Sequence, residues 1–197
     1  METVFFSWQA DTPASNGRVF IERAVTEALK RVNEGVHIEN AERDELILDR
    51  DTRGVAGQPP IVETILRKID ETAIFVPDMT FVGVRKDGRP TPNPNVLIEY
   101  GWALKGLGHA RIVPVMNSAY GEPTIETMPF DMKHLRNPIT YELPERASDR
   151  KREAEHIGLS KALEEAFRAV LEIKGLRNRT AVAPVPYTPA EPNMSTP

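Results

Sequence analysis

The sequence predicts a single α/β domain in which a parallel sheet is flanked by helices. Short runs of β-branched and aromatic residues alternate along the chain with longer segments whose apolar residues recur at helical spacing. Alternating strands and helices produce parallel βαβ units with right-handed crossovers. The chain has 197 residues, of which 40% are hydrophobic, enough for one such domain with a sizeable core.

The first half of the chain contains three predicted strands and two predicted amphipathic helices. The strands are short and apolar, at residues 3–8, 46–48 and 73–76. Between them, helical stripes of apolar residues run from Ile21 to Val32 and from Ile61 to Ile69. We expect each helix to pack its apolar stripe on the sheet.

The third predicted helix has clear start and stop signals. Asn93 suits the N-cap position, Pro94 the first helical position, and Gly108 the position after the last turn. A fourth strand is predicted at 111–116, although Pro114 is unusual inside a central strand.

The last part of the chain contains a possible fifth strand at 138–143 and a final helix. The apolar stripe of that helix runs from Leu159 to Leu171, and Gly175 is expected to end it. We therefore predict one domain over residues 1–178, followed by a proline-rich, disordered tail at 179–197.

Composition excludes several classes of protein. The net charge is −4 with both signs well mixed, whereas a nucleic-acid binder needs a basic surface. Cysteine is absent and the four histidines share no metal-ligand spacing, so we expect no disulfide and no metal site. No secretory signal or membrane span is visible, and a cytoplasmic location is expected.

Polar residues at the predicted strand ends form one candidate rim. The loops after Trp8, Arg50, Asp78 and Met116 lie at the carboxyl ends of parallel strands, where such sheets bind ligands. Ser7 and Trp8 offer a hydroxyl and an indole for a phosphate, a ribose or a base. Alternatively, Trp8 caps the core and Ser7 bonds a neighbouring backbone group.

Two further residues of the rim have open interpretations. Arg50 can hold a phosphate with its bidentate guanidinium, or it can pair with Asp49 or Asp51 and hold the loop. Asp78 would be the phosphorylated residue of a receiver domain. That class is excluded because no acidic pair follows the first strand and no lysine follows the fifth.

Glu99, on the predicted third helix, is a further candidate near the rim. It falls between two apolar stripes of the third helix, with Asn95 four residues before it and Trp102 three after it on the same side. A carboxylate there can bind ribose hydroxyls, or stabilise an oxocarbenium-like cation as a glycosidic bond breaks. The alternative is an ordinary exposed glutamate.

Three stretches together resemble the TIR family. They are the first strand with its terminal Ser7 and Trp8, the strand and loop at 48–57, and the Pro-Asn-Val-Leu-Ile-Glu-Tyr-Gly segment at 94–101. These stretches are most similar to bacterial TIR-like proteins described as nucleotide-binding, many of them linked to anti-phage defence. The resemblance covers residues 3–116.

The resemblance implies a flavodoxin-like sheet and cleavage of the bond between nicotinamide and ribose in NAD⁺. Glu99 would be catalytic, and NAD⁺ would be the substrate with no further cofactor. Six residues would bind the substrate: Ser7, Trp8, Arg50, Asp51, Asn95 and Trp102. Self-association through the 51–60 loop, and a separate sensor or effector protein, would control activity.

Three functions stay open from the sequence. The first is an NAD glycohydrolase, or a cyclase that makes a cyclic ADP-ribose-type signal, acting in anti-phage immunity. The second is an enzyme like the nucleoside deoxyribosyltransferases, which uses similar glutamate chemistry on nucleosides. The third is a non-catalytic TIR module for nucleotide binding or assembly.

Overall fold

A computed structural model describes residues 2–39, 45–50 and 60–179 of the chain. Seven strands and four α-helices follow one another in these ranges. The strands are β1 Glu2–Ser7, β2 Leu46–Asp49, β3 Ile74–Pro77, β4 Phe81–Val84, β5 Pro90–Pro92, β6 Val115–Asn117 and β7 Ile139–Tyr141. The helices are α1 Arg18–Glu39, α2 Ile61–Glu71, α3 Pro94–Leu107 and α4 Asp149–Arg179.

The strand order defines the fold. β1 lies between β2 and β3 and is parallel to both, and β6 is parallel to β7. Parallel bridges from Phe75 to Ile112 and from Asp78 to Val115 join β3 to β6. The resulting order, β2-β1-β3-β6-β7, is that of the flavodoxin-like doubly wound sheets. The predicted fold class is therefore confirmed.

Two hydrophobic clusters cover the two faces of the sheet. Because side chains alternate along a strand, Val4 and Phe6 face one side, where the buried residues of α1 and α4 pack. Phe5 faces the other side and stacks on Phe75 with a centroid distance of 6.3 Å. The buried residues of α2 and α3 cover that side, so helices lie on both faces of the sheet.

The predicted start and end of α3 are both observed. The Asn93 side chain accepts hydrogen bonds from the backbone N–H groups of Asn95 at 2.8 Å and Val96 at 3.3 Å. Gly108 follows the last helical residue with φ of 73°, a left-handed value that favours glycine. These caps fix the ends of the helix that carries Glu99.

A short antiparallel hairpin replaces part of the expected loop between β3 and α3. β4 and β5 pair from Phe81–Pro92 to Val84–Pro90. β5 has only three residues and contains two prolines, which can occupy an edge strand because such a strand need not donate every hydrogen bond. Its composition is that of a turn, and for that reason the sequence did not reveal it.

The second half of the chain departs from prediction in two places. The fourth strand is interrupted as Pro114 suggested, and the Pro114 carbonyl accepts a hydrogen bond from the Ile139 N–H at 2.8 Å. The predicted helix end at Gly175 is wrong, because α4 begins at Asp149 and continues through Gly175 to Arg179. A glycine ends a helix only where the backbone turns out of the helical conformation.

Several sequence-based expectations lie outside the described residues. They are the loop at 51–59, including Asp51, and the tail from 180 onward. Of the helices that the structure does describe, none combines the length and the apolar character needed to cross a bilayer.

Candidate functional site

A cleft of about 300 Å³ opens at the carboxyl end of β1. Its walls are residues 5–11, which are the end of β1 and the following loop, together with Ile65 of α2 and Asn93, Asn95 and Glu99 of α3. The volume is at the lower end of the range for small-molecule sites. The cleft therefore lies on the rim where an open parallel sheet binds its ligands.

Ser7 and Glu99 meet inside this cleft although 92 positions separate them. Ser7 is two residues after Phe5 and so faces the same side of the sheet, toward α3. Its Oγ donates to Glu99 Oε2 at 2.5 Å, the short end of the range for a hydroxyl bound to a carboxylate. Ser7 is 2% exposed and Glu99 is partly exposed, so this hydrogen bond is partly buried.

Asn95 shares the cleft face of α3 with Glu99. The two residues are four apart, and the burial of Val96 and Tyr100 against the sheet turns the Asn95–Glu99 side toward the cleft. Asn95 is exposed, and its side-chain amide makes no hydrogen bond to any described residue. The amide can therefore donate to or accept from a ligand without losing an internal partner.

Trp8 is positioned for both of the roles considered from the sequence. Its ring is partly buried against the core cluster of α1 and α4, and it also forms part of the cleft wall. The guanidinium carbon of Arg18 lies 4.3 Å from the centre of the ring, a cation–π contact. An indole fixed in this way offers a flat apolar wall to a ligand.

Asp78 contacts the site through Gln9, which is part of the cleft wall. Its side chain is fully buried at the end of β3, and burial raises the pKa of its carboxyl group. Hydrogen bonds from the Thr80 backbone N–H at 3.1 Å and from Gln9 Nε2 at 3.3 Å act in the opposite direction, lowering the pKa. A carboxyl group without solvent access is unsuited to accept a phosphoryl group, in agreement with the exclusion of a receiver domain.

Arg50 lies apart from the cleft. Its guanidinium binds Glu22 of α1, on the face of the sheet opposite to α3, and Arg50 is not part of the cleft wall. Asp49, beside it, accepts from Lys68 of α2 at 2.7 Å. Of the two interpretations, the geometry favours a pairing role, with Glu22 as a partner that the sequence did not suggest.

Trp102 also lies away from its expected place beside the ligand. Its indole N–H donates to Asp70 of α2 at 2.8 Å, and Lys105 Nζ lies 5.8 Å from its ring. Trp102 is most of a helical turn beyond Glu99, further from the end of α3 that meets β1. It therefore helps to join α3 to α2 rather than to line the cleft.

Asn93 is a cleft residue that the sequence identified only as a helix cap. Its Nδ2 donates to Asp11 Oδ2 at 2.6 Å, which joins the first residues of α3 to the loop after β1. The N-cap pattern and the rim position were both visible in the sequence. The contact with Asp11 was not, because it depends on the placement of two distant segments.

A larger hollow, of about 520 Å³, lies at the other end of the sheet. It occupies the amino ends of β6 and β7 against α4, with largely aliphatic walls that include Ile112, Val113, Leu135 and Ala166. In open α/β sheets ligands bind at the carboxyl ends of the strands. The smaller cleft, which also holds the converging polar groups, is therefore the candidate site.

No protein-family model and no curated protein matches the chain. Among solved structures, it is similar to a flavodoxin-like domain from Synechococcus sp., with a TM-score of 0.43 and 8% identity over 85% of this chain and 99% of that one. It is also similar to a 2-desoxiribosyltransferase from Leishmania mexicana, with a TM-score of 0.37 and 15% identity over 71% of this chain and 90% of that one. Both TM-scores are low, so the fold class rests on the strand order itself.

Proposed function

We propose that this protein cleaves the N-glycosidic bond of NAD⁺ and releases nicotinamide, with Glu99 as the catalytic carboxylate, in bacterial anti-phage immunity. The observation that carries the proposal is the pairing of Glu99 with Ser7 in a cleft at the carboxyl end of β1. The resemblance of the first strand and of the Glu99 segment to TIR NADases supports the choice of NAD⁺.

The proposed reaction needs a negative charge beside the ribose. The bond between C1′ and the nicotinamide nitrogen breaks, its electron pair leaves with neutral nicotinamide, and the ribose becomes an oxocarbenium-like cation. Glu99 stabilises that cation through its charge, an interaction that is strongest in the transition state. Water adds to C1′ and releases a proton, so that NAD⁺ and water give nicotinamide, ADP-ribose and H⁺.

The other cleft residues act by position. Ser7 donates to Glu99 Oε2 and orients the carboxylate. The Asn95 amide faces the same space and can bind a ribose hydroxyl or a phosphate oxygen. The Trp8 ring provides a wall on which a base can stack. If a group of the substrate itself attacks C1′ in place of water, the product is cyclic.

The second candidate function uses the same carboxylate as a nucleophile. Attack of Glu99 on C1′ of a deoxynucleoside would break the bond to the base, which leaves with the electron pair and takes up a proton, and would form a glycosyl-enzyme. A nitrogen atom of a second base would then attack C1′, lose its proton and release the Glu99 carboxylate. A non-catalytic nucleotide-binding module would use the cleft without any bond cleavage. These functions differ in their products and can be separated by one set of assays.

The test is to incubate the purified protein with NAD⁺ and, separately, with 2′-deoxyinosine and free adenine. Chromatography then measures nicotinamide, linear and cyclic ADP-ribose, and 2′-deoxyadenosine. We expect nicotinamide release and no base exchange. Base exchange without nicotinamide release would replace the proposal with the second function. Ligand binding without any product would indicate a binding module.

A further inference from the structure

Hydrogen bonds join the β1 side of the cleft to α3. One joins Ser7 to Glu99, and another joins Asp11 Oδ2 to Asn93 Nδ2 at 2.6 Å, across 82 positions of sequence. A carboxylate is a stronger hydrogen-bond acceptor than a neutral oxygen atom. Asp11 and Asn93 both line the cleft, so this contact belongs to the site rather than to the distant surface.

Both polar atoms of the Asn93 side chain make hydrogen bonds within the protein. Its Oδ1 accepts from the backbone N–H groups of Asn95 and Val96, and its Nδ2 donates to Asp11. One amide therefore caps α3 and fixes the capped end to the neighbouring loop. Asn95 differs, because its side chain makes no hydrogen bond to any described residue. The geometry makes Asn95 the residue for ligand contact and Asn93 a residue for position.

The backbone of Asp11 is held by hydrogen bonds that involve the buried side chain of Gln9. Its backbone N–H donates to Gln9 Oε1 at 2.5 Å. Gln9 Nε2 in turn donates to Thr12 Oγ1 at 2.8 Å and to the buried carboxyl group of Asp78 at 3.3 Å. Gln9 is 3% exposed, so the loop is anchored to the end of β3 away from solvent. A continuous set of hydrogen bonds therefore leads from Asp78 to the first turn of α3.

The placement of Glu99 depends on that first turn. Asn93 is six positions before Glu99, about 9 Å along a rigid helix axis. A tilt of the amino end of α3 therefore moves Glu99 relative to Ser7 and to any bound ribose. Misplacing a catalytic group by about 1 Å can cost about a hundredfold in rate.

We infer that Asp11 and Asn93 form a positioning pair, which sets the distance between Glu99 and the ligand by fixing the amino end of α3 to the loop after β1. The effect on catalysis rests on the proposed function. The effect on α3 rests on the hydrogen-bond geometry alone, so the two can be measured separately.

The test exchanges the two side chains. Aspartate and asparagine are nearly equal as N-caps, so Asn93→Asp keeps the cap but brings a second carboxylate against Asp11. The double variant Asp11→Asn with Asn93→Asp restores the hydrogen bond with donor and acceptor reversed. Asp11→Ala removes the bond at an exposed side chain. Asp131→Asn, at an exposed turn outside the cleft, is the matched control.

We expect Asn93→Asp to lower kcat for nicotinamide release by about a hundredfold and Asp11→Ala by about tenfold, with little change in Tm. The double variant should recover to within about threefold of wild type, a coupling that two independent structural defects would not show. Asp131→Asn should retain the wild-type rate.

Hydrogen exchange provides the readout that does not depend on activity. Backbone amides of residues 9–12 and 95–99 should exchange faster in Asn93→Asp and in Asp11→Ala, and should regain protection in the double variant. Wild-type exchange in both single variants would overturn the inference, and so would a folded double variant that recovers neither protection nor rate. If the wild-type protein releases no nicotinamide, the proposed function fails and the exchange pattern alone decides on the positioning pair.

Discussion

At the scale of single residues, the site depends on the contact between Ser7 and Glu99. The hydroxyl is buried at the end of a central strand and donates to a carboxylate at the edge of the cleft. A hydrogen bond of this kind holds the carboxylate in one orientation before the substrate arrives. Such preorganisation is the main way in which an enzyme stabilises charge that develops in a transition state.

Ser7→Ala should therefore reduce catalysis more than stability. Loss of one hydrogen bond to a charged group corresponds to about 1.5 kcal/mol, or about tenfold in kcat. Steady-state kinetics of nicotinamide release would measure the change. Ser118→Ala is a suitable control, because Ser118 follows another strand of the same sheet and lies outside the cleft. An unchanged kcat in Ser7→Ala would show that the Ser7 hydroxyl does not orient Glu99.

Asp78 should make the free energy of unfolding depend on pH. Burial raises its pKa in the folded state, so the folded protein holds the proton more tightly than the unfolded chain does. The resulting stabilisation is complete below the unfolded pKa of about 4, and it is lost as the pH rises through the folded pKa. Asp78→Asn removes this titration.

The corresponding measurement is urea unfolding of wild type and Asp78→Asn between about pH 4 and pH 8. The two proteins can differ in free energy of unfolding at every pH. As the pH rises, however, the free energy of unfolding of the wild type should fall relative to that of the variant. A difference that stays constant, or that changes in the opposite direction, would mean that the pKa of Asp78 is not raised in the folded protein.

At the scale of elements, the end of β2 is fixed to helices on both faces of the sheet. Arg50 binds Glu22 of α1 on one face, and Asp49 accepts from Lys68 of α2 on the other. β2 has four residues and pairs with β1 alone among the described strands. These two ion pairs therefore add to the pairing with β1 in holding the end of this short strand.

Arg50→Gln separates a structural role from a role in phosphate binding. The free energy of unfolding should fall by about 1 kcal/mol, because a partly buried ion pair is lost, while KM for NAD⁺ stays at the wild-type value. Arg67→Gln, which breaks an exposed pair with Glu71 within α2, should change the stability by less than about 0.5 kcal/mol. A clear rise in KM without loss of stability would show that Arg50 binds the substrate and would contradict the structural role.

The elements also show which parts of the fold the sequence could predict. α3 was predictable because Asn93, Pro94 and Gly108 are local signals that the backbone obeys directly. The β4–β5 hairpin was not predicted, because the residues of β5 are typical of turns and form a strand only through their pairing with β4. Gly175 was misread as the end of a helix because its conformation depends on the rest of α4 rather than on glycine itself.

The candidate site was predictable only in part, for a related reason. The topology rule places the ends of β1 and β3 on one rim and so indicates Ser7 and Trp8. Glu99 was indicated by its position on the third helix and by the resemblance to TIR proteins. The Glu22 partner of Arg50 and the Asp70 partner of Trp102 involve segments 28 and 32 positions away. Side-chain pairing over such distances is decided by helix packing, which sequence periodicity does not specify.

At the scale of the whole molecule, the strand order explains why the cleft lies beside β1. From β1 the chain crosses to β2 on one side and then returns to β3 on the other, which leaves a crevice at the point where the order reverses. Glu99 lies on α3, the helix that follows β3 and covers the same face as Ser7. The fold thus brings the two halves of the site together at its topological switch point.

Assembly provides the prediction at this scale. The proposed TIR-like activity would be controlled by self-association through the 51–60 loop, which lies largely outside the described residues. Specific activity should then rise with protein concentration over about a hundredfold range, because a neighbouring subunit would complete the active state. Kinetics and light scattering on the same samples would test this. A strict monomer with constant specific activity would rule out assembly as the control.

In the proposed function, the Glu99 carboxylate promotes cleavage of the bond between nicotinamide and ribose. This role is tested most directly by nicotinamide release from NAD⁺ in wild type, Glu99→Gln and the control Glu153→Gln, an exposed glutamate on α4. Glutamine retains the shape of the side chain and an acceptor for Ser7, so Tm should be almost unchanged. The rate should fall at least about a hundredfold in Glu99→Gln, because the charge opposite the developing cation is lost, and it should stay at the wild-type level in Glu153→Gln. A Glu99→Gln protein that releases nicotinamide at the wild-type rate would contradict the assignment.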